Sequence, residues 1–415
     1  MPATGNRWAM AADDLIGGWP ERAGWSERAG WSERAGWSER VAARCRQVES
    51  EGRWRSPRAF GADEAGGTAG RLEPHARRVV AFASNDYLGL SRHPAVVDAA
   101  HEALGRWGAG AGASRLVTGS RPVHHQLELA LADWKGCERA VLFPTGFAAN
   151  LGVLATFGDS DVLICSDERN HASVVDGARL ARAKVAVYRH CDVDHVDRLL
   201  ASHQGLAIVV TDAVFSMDGD EAPLAALADS CRRHRSLLVL DEAHAVLSAD
   251  ATPMLHDVDA IRVGTLSKVL GSLGGFAATT GPFADLLVNR ARSYIFTTAP
   301  TPADTAAALA AVGILRSEEG EQLRRRLEDH VERVAPGHQS PIVPVVLGSE
   351  QAALAASAAL LDEGLWVPAI RPPTVPPGTA RLRVTLSAAH GDEDVDRLVS
   401  ALRRLGTPAP RTGTS

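Results

Sequence analysis

Between about Val79 and Gly281, short apolar runs alternate with stretches of helical character. Six of these runs have the length of a buried strand: 140–143, 162–165, 184–188, 207–211, 237–240 and 261–264. Strands that alternate with helices predict a mostly parallel sheet with helices on both faces. A chain of 415 residues is also too long for one small core, and strand signals return at 341–347 and 381–386. We therefore predict an α/β fold with a large, mostly parallel-sheet domain and a smaller C-terminal α/β domain.

The predicted boundaries place a low-complexity extension at 1–40, a helix and linker at 41–90, the large domain at 91–300 and the small domain at 301–415. The extension repeats Glu-Arg-Ala-Gly-Trp-Ser every six residues, which puts Trp19, Trp25, Trp31 and Trp37 in register. Six residues advance about 240° around a helix, so these side chains would not form a stripe. A glycine in each repeat weakens a strand interpretation. We interpret the repeat as a duplicated segment without a chemical role, with a partner-binding tryptophan array as the alternative.

Composition narrows the class of protein. A formal net charge of −6 gives no sign of nucleic acid or an anionic membrane as partner. The five cysteines lack C-x-x-C pairs, which argues against a zinc site or a disulfide framework and fits a reducing compartment. No apolar stretch is long enough to span a membrane, and the acidic first 20 residues do not resemble a signal peptide. We expect a cytoplasmic protein.

Two polar residues stand at the ends of predicted strands. Asp241 directly follows the run 237–240, and Lys268 lies just beyond the run 261–264. Sites in parallel sheets lie where the carboxyl ends of the strands meet. A lysine amine can hold the aldehyde of pyridoxal 5'-phosphate (PLP), and a carboxylate can keep its pyridine nitrogen protonated. The sequence therefore predicts a PLP site and no metal.

The surrounding residues decide between this interpretation and simpler ones. Asp241 with His244 could be a helix cap beside an unrelated histidine, or the DEAH box of a helicase. A helicase also needs a G-x-x-x-x-G-K-[ST] loop, which this chain lacks. Thr265 offers a hydroxyl beside the glycines that follow Lys268, and the segment 145–150 opens a helix after an apolar run, as a phosphate cradle does. His171 would more often be structural, but an imidazole can also stack on a PLP ring.

Together these motifs resemble the α-oxoamine synthases, a branch of the fold-type I PLP enzymes. The resemblance runs from about Ala81 to about Val399. It rests on seven segments, which are jointly very specific in this order: 83–90, the Gly-Ala run through 114–115, 145–150, 170–173, 214–220, 241–244 and 264–268.

The resemblance implies a role for each matching residue. Lys268 would carry the cofactor, Asp241 would pair with its pyridine nitrogen, and His171 would stack on its ring. With His244, these are the predicted catalytic residues. The further cofactor contacts would be Ser216 and His244 near the ring oxygen, Gly146 and Phe147 through the backbone, Thr265 at the phosphate, and Thr298 at the phosphate of a neighbouring subunit. The last contact implies a homodimer. The substrate contacts would be Arg371 and Asn85 at the amino-acid carboxylate, Thr374, and Arg55 near the acyl substrate.

The segments 369–383 and 385–390 resemble members that condense L-alanine with a pimeloyl thioester, carried by CoA or a carrier protein, in biotin biosynthesis. Two alternatives are a sister reaction with glycine or another acyl thioester, and a homologue that binds PLP with little turnover. The second alternative rests on a departure from the family. Where a glycine-rich loop usually follows His244, this chain has the shorter segment 245–250.

Overall fold

The structure is a computed structural model that describes residues 35–62, 67–74 and 76–406. The chain divides into two compact units, of which the first covers Met1–Asp63 and Gly70–Val79 and the second Glu64–Ala69 and Val80–Ser415. The predicted division at 40, 90 and 300 stays a prediction.

The first unit contains the arginine-rich helix, which begins earlier than its sequence signal near Val41. This helix is α1 (Ala35–Ser50), and the strands β1 (Phe60–Ala62) and β2 (Ala69–Leu72) pair antiparallel after it. Trp37, on α1, is 75% exposed and therefore contributes little to a core. The other three tryptophans of the repeat lie outside the described residues.

The remaining elements follow in chain order. The strands are β3 (Arg77–Ala81), β4 (Arg139–Phe143), β5 (Leu163–Asp167), β6 (Lys184–Tyr188), β7 (Ala207–Asp212), β8 (Leu237–Asp241), β9 (Ala260–Thr265), β10 (Gly275–Thr279), β11 (Ile342–Gly348), β12 (Leu365–Trp366), β13 (Ala369–Ile370) and β14 (Ala380–Thr385). The helices are α2 (Pro94–Trp107), α3 (Pro122–Trp134), α4 (Gly146–Phe157), α5 (Ala172–Ala181), α6 (Val193–Ala201), α7 (Leu224–His234), α8 (Gly281–Arg290), α9 (Arg292–Ile295), α10 (Pro302–Leu315), α11 (Glu318–Val334), α12 (Glu350–Asp362) and α13 (Asp392–Arg404).

A seven-stranded sheet forms the centre of the second unit, in the order β4-β10-β9-β8-β7-β5-β6. The pairs between β9, β8, β7, β5 and β6 are all parallel, and the six predicted strands are β4 to β9. The predicted fold class is therefore confirmed. The sequence missed β10, which pairs antiparallel with both β4 and β9. Three of its five residues are glycine or alanine, which are depleted in strands, so its structure depends on its neighbours.

The strands of this sheet are buried on both faces. Ile164, Val210 and Val239 pack in one apolar cluster, and Cys165 and Val209 pack in another. Successive side chains of a strand point to opposite faces, so both faces are covered, as in a parallel sheet flanked by helices. Each such side chain contributes about 1.5–3 kcal/mol when fully buried. This packing fixes the strand ends that carry the polar residues.

A smaller sheet, in the order β11-β14-β13, is antiparallel. Its central strand β14 carries two buried arginines, Arg381 and Arg383, which share one face because they are two residues apart. These arginines donate hydrogen bonds to backbone carbonyls of the segment that follows β7. Among the residues that the structure describes, none of the helices combines the length and apolarity needed to cross a membrane.

Candidate active site

A cavity of about 240 Å³ opens at the carboxyl ends of the central strands. Ends of β7, β8 and β9 contribute Asp212, Asp241 and Thr265 to its wall, as expected for a parallel sheet. Seven of the residues predicted from the sequence line it: Gly146, Phe147, His171, Asp241, His244, Thr265 and Lys268. The structure therefore brings these seven together, while their individual roles stay predictions.

Lys268 is the first member of a hydrogen-bonded chain. Its Nζ lies 2.8 Å from His244 Nε2, and His244 Nδ1 lies 2.5 Å from the hydroxyl of Tyr87. Burial lowers the pKa of Lys268, against the opposing effect of Asp241 and Asp212. Burial and the neighbouring positive charge of Lys268 also hold the pKa of His244 well below its usual range. A neutral amine on Lys268 is therefore accessible at lower pH than for a free lysine.

The carboxylate of Asp241 is held by two donors. Its Oδ2 accepts from Asn150 Nδ2 at 2.6 Å, and its Oδ1 accepts from the backbone N–H of Ala243 at 3.0 Å. Asn150 also donates to Ser173 Oγ at 2.9 Å, and that hydroxyl lies 2.7 Å from Nδ1 of His171. Burial lowers the pKa of His171, while Asp241 opposes that shift. The network orients the Asp241 carboxylate and the His171 imidazole, whose charged form burial disfavours, towards the same cavity.

The start of α4 offers an anion site. Thr145 caps the helix by accepting from Ala148 N–H at 3.0 Å, and the helix begins at Gly146. A Cβ on Gly275 would lie 2.4 Å from the nitrogen of Gly146, so no larger residue fits there. Across the cavity, the hydroxyls of Thr265 and Ser267 lie 2.7 Å apart. Free N–H groups and the positive end of the helix dipole make such a start a phosphate site.

Asn85 and Arg371 are the two predicted contacts of the amino-acid carboxylate. Asn85 Oδ1 accepts from Arg383 Nη2 at 3.2 Å and lies 3.3 Å from the Tyr87 hydroxyl, so it lies beside the chain that leads to Lys268. Arg371 instead lies 3.8 Å from a carboxylate oxygen of Glu350. The arginine that the structure places beside Asn85 is Arg383.

Four other predicted residues lie outside the lining of the cavity. The carbonyl of Ser216 accepts from Arg383 Nε at 2.6 Å, so its contribution is through the backbone. Thr298 and Thr374 are exposed. Arg55 is exposed and belongs to the first unit. Their roles stay predictions.

Five residues of the site were not predicted. Tyr87, Asn150 and Arg383 lie within the segments that carry the family resemblance, but nothing in the local sequence indicates their partners. Asp212 ends β7 in the same way that Asp241 ends β8, and this strand-end position could have identified it. The five are Tyr87, Asn150, Ser173, Asp212 and Arg383.

The shortened segment after His244 lies beside a cluster of buried charges. Glu242 pairs with Lys135 at 2.9 Å and with Arg262 at 2.6 Å. Arg262 also reaches Asp250 at 3.3 Å, which ties the segment 245–250 to β9. These positive charges hold the pKa of Glu242 low although burial alone would raise it. The short segment is therefore held by an ion pair through Asp250, beside the cavity that Ala243 and His244 line.

Comparisons with known proteins agree with this geometry. A family model described as aminotransferase class I and II matches residues 77–402. The chain is 43% identical over 387 residues to an 8-amino-7-oxononanoate synthase of Geobacter sulfurreducens, covering 88% of this chain and 97% of the relative. It is 48% identical over 347 residues to the same enzyme of an Anaeromyxobacter species, covering 79% and 86%.

Among solved structures, a serine palmitoyltransferase variant from S. paucimobilis with a bound PLP–myriocin aldimine is similar. Its TM-score is 0.82 and its identity 27%, covering 90% of this chain and 99% of that one. Since the family match spans residues 77–402, which is most of the sequence, the chain belongs to the aminotransferase class I and II family.

Proposed function

We propose that this protein catalyses the PLP-dependent condensation of L-alanine with a pimeloyl thioester, which releases CO2 and the thiol and forms 8-amino-7-oxononanoate for biotin biosynthesis. The observation that carries the proposal is the cavity in which Lys268 and Asp241 lie with a helix start suited to phosphate. The high identity to 8-amino-7-oxononanoate synthases supports the choice of substrates.

The residues of the cavity fit PLP. Asn150 Oδ1 is buried without a hydrogen-bond partner, which leaves an acceptor in the wall of the cavity. Gly146 and Gly275 keep the start of α4 open to an anion. Lys268 would hold the aldehyde, Asp241 the pyridine nitrogen, and Gly146, Phe147 and Thr265 the phosphate. His171 would face the ring, with His244 near its oxygen. When bound, the cofactor supplies a ring that accepts the electron pair left at the substrate Cα.

The chain's own residues then move the proton. Lys268 Nζ removes the Cα proton of L-alanine, for which a neutral amine is required. Burial lowers the pKa of Lys268 and so favours that form. His244 contacts the same amine at 2.8 Å and can orient it. Asp241 is buried and Lys268 is half-buried, so both groups are partly shielded from bulk water.

Two arginines compete for the role of holding the alanine carboxylate. Arg371 was predicted from the resemblance, and Arg383 is supported by its hydrogen bond to Asn85. We propose that Arg383 is the main contact, because it is buried and connected to the chain that ends at Lys268. Arg371 would then serve the acyl substrate or its entrance, near Thr374, whose N–H donates to the Arg371 carbonyl at 3.1 Å.

Two similarities point to different substrates. The solved structure with a TM-score of 0.82 is a serine palmitoyltransferase, whereas the relatives described above with over 40% identity are 8-amino-7-oxononanoate synthases. We favour the reaction of the 8-amino-7-oxononanoate synthases, because side chains rather than the backbone select a substrate, and sequence identity reports on side chains. Serine or glycine as the amino acid, or a longer acyl chain, is the second candidate.

An exposed apolar patch supports the proposed homodimer. Val117 is 73% exposed and Phe296 69% exposed. Their segments are neighbours, because Ala299 N–H donates to the Ala113 carbonyl at 3.0 Å. Thr298 lies between Phe296 and Ala299, so a partner subunit on this patch would be placed to bring its cofactor phosphate near Thr298. Exposed apolar patches of this kind mark protein interfaces. We also propose a cytoplasmic location, since all five cysteines are free.

The test is turnover with a matrix of substrates. Protein loaded with PLP is given L-alanine, glycine or L-serine with acyl-CoA thioesters of increasing length, and pimeloyl groups on CoA and on a carrier protein. We expect the highest kcat/KM for L-alanine with a pimeloyl thioester. Preference for L-serine with a long acyl chain would contradict the proposal and favour the second candidate.

A further inference from the structure

A clamp of three side chains lies outside the catalytic cavity. His190 Nδ1 lies 3.0 Å from Asp167 Oδ1, and its Nε2 lies 2.6 Å from Asp220 Oδ2. Asp167 ends β5 and its side chain is only 1% exposed. His190 follows β6, and Asp220 lies in the loop 213–222 that follows β7. The clamp therefore joins three separate elements through one imidazole.

His190 acts here as a cation rather than as a metal ligand. Asp167, His190 and Cys191 offer atoms within 4.8 Å of one another, a set that could hold a metal ion. However, each ring nitrogen already faces a carboxylate oxygen, and both must donate a proton to make those contacts. Burial alone would lower the pKa of His190, but its hydrogen bonds to Asp167 and Asp220 outweigh it and raise the pKa to about 11. An imidazolium has no lone pair to give a metal.

The clamp holds one side of the loop 213–222. Phe215 N–H donates to the Asp220 carbonyl at 3.0 Å, and the ring of Phe215 meets that of His190 edge-on at 4.4 Å. The loop has little room to shift, since a Cβ on Gly219 would lie 2.1 Å from the Ile342 carbonyl. Val214, at the start of the loop, lines the catalytic cavity.

The other side of the loop meets the arginines of β14. Arg381 pairs with Asp218, and Arg383 Nε donates to the Ser216 carbonyl at 2.6 Å. The same guanidinium of Arg383 donates through Nη2 to Asn85. The loop thus lies between the clamp and the arginine that faces the proposed carboxylate site.

We propose that the clamp of Asp167, His190 and Asp220 positions Arg383 for the amino-acid substrate. It fixes the loop 213–222, and the loop fixes the guanidinium through the Ser216 carbonyl. His190 does not line the catalytic cavity, so it is a positioning residue that acts only through this loop. This inference rests on the proposed function, because it assigns Arg383 to the alanine carboxylate.

The experiment compares wild type with His190→Gln, Asp220→Asn and the double variant, each loaded with PLP. Each single variant removes the charged hydrogen bond between His190 and Asp220. We expect KM for L-alanine to rise roughly tenfold or more, with a smaller change in kcat and in KM for the acyl thioester, because a displacement of about 1 Å can cost up to about 100-fold. The double variant should be little worse than either single variant, since the sites are coupled. His256→Gln, which breaks an exposed histidine–aspartate pair with Asp257 away from this loop, is the matched control and should leave KM unchanged.

Hydrogen exchange of the loop 213–222 supplies a readout that does not depend on turnover. Both single variants should exchange faster there, while the seven-stranded sheet keeps its protection. Unchanged KM and unchanged loop exchange in both variants would overturn the inference. If His190→Gln fails to fold, Asp220→Asn decides alone. A wild type that does not use L-alanine would refute the proposed function, and the exchange data would still decide whether the clamp holds the loop.

Discussion

Replacing Tyr87 by phenylalanine tests how the site favours the neutral form of Lys268. The Tyr87 side chain is fully buried, and its hydroxyl lies 2.5 Å from His244 Nδ1. Burial raises the pKa of Tyr87 to about 12, so the hydroxyl keeps its proton. Its contact with His244 is shorter than the 3.3 Å to Asn85, so we assign the proton to a hydrogen bond with His244. The other imidazole nitrogen then carries the ring proton and donates to a neutral Lys268.

The expected magnitude follows from that contact. Tyr87→Phe leaves the buried His244 Nδ1 without its donor, which costs about 1–3 kcal/mol. At about 1.4 kcal/mol for a factor of ten, kcat/KM for L-alanine should fall by about 5-fold to about 150-fold. Without the donor, His244 can accept from a protonated Lys268, so the pKa of Lys268 should rise. The acid limb of the pH–rate profile should therefore move to higher pH.

The assay is steady-state turnover across pH with PLP-loaded protein. Tyr188→Phe is the matched control, because Tyr188 is equally buried but lies at the end of β6 and does not line the catalytic cavity. It should leave kcat/KM and the pH profile unchanged. If Tyr87→Phe retains wild-type kcat/KM with an unmoved acid limb, Tyr87 does not control the protonation of Lys268.

Three further predictions follow from other parts of the chain. Asp241→Asn should still bind PLP but lose turnover by orders of magnitude. The substitution should also lower the pKa of Lys268, because the charge of Asp241 raises that pKa. Reductive trapping of PLP by the apoenzyme should therefore begin at lower pH than in wild type. Burial lowers the pKa of His390 to about 4 from its usual 6.5. As pH falls, His390 therefore takes up a proton in the unfolded chain at a higher pH than in the folded protein. Stability of roughly 3 kcal/mol should be lost between pH 6.5 and 4, and His390→Gln should show a flatter fall of Tm with pH, unlike a control at the exposed His256. Deleting residues 1–39 should leave folding and turnover largely intact, and a truncated protein that is insoluble or inactive would assign the repeat a structural role.

The strand ends of the site could be predicted because two local signals coincide. Apolar runs mark buried strands, and parallel strands bring their carboxyl ends to one edge, so the sequence alone predicts that Asp241 and Lys268 meet. The family resemblance was likewise confirmed by relatives of over 40% identity. Both inferences depend on short segments that can be interpreted without knowing the contacts between distant parts of the chain.

Contacts between distant segments could not be predicted in this way. Asn150 reaches Asp241 across 91 positions, and Tyr87 reaches His244 across 157. No local pattern specifies such a pair, because the packing of the helices and the loops decides it. For the same reason the family resemblance pointed to Arg371 alone, whereas Arg383 comes beside Asn85 only through the placement of β14. The strand β10 was missed because neighbours on both sides, rather than its own side chains, hold it in the sheet.

Isotope tracing tests the central claim most directly. PLP-loaded protein is incubated with pimeloyl-CoA and L-alanine that carries 13C only in its carboxyl group, and the gas and the aminoketone are analysed by mass spectrometry. We predict one labelled CO2 for each molecule of unlabelled 8-amino-7-oxononanoate, and no product from Lys268→Ala. A product that retains the label, or labelled CO2 released at the same rate by Lys268→Ala, would contradict the proposed reaction and the role of Lys268.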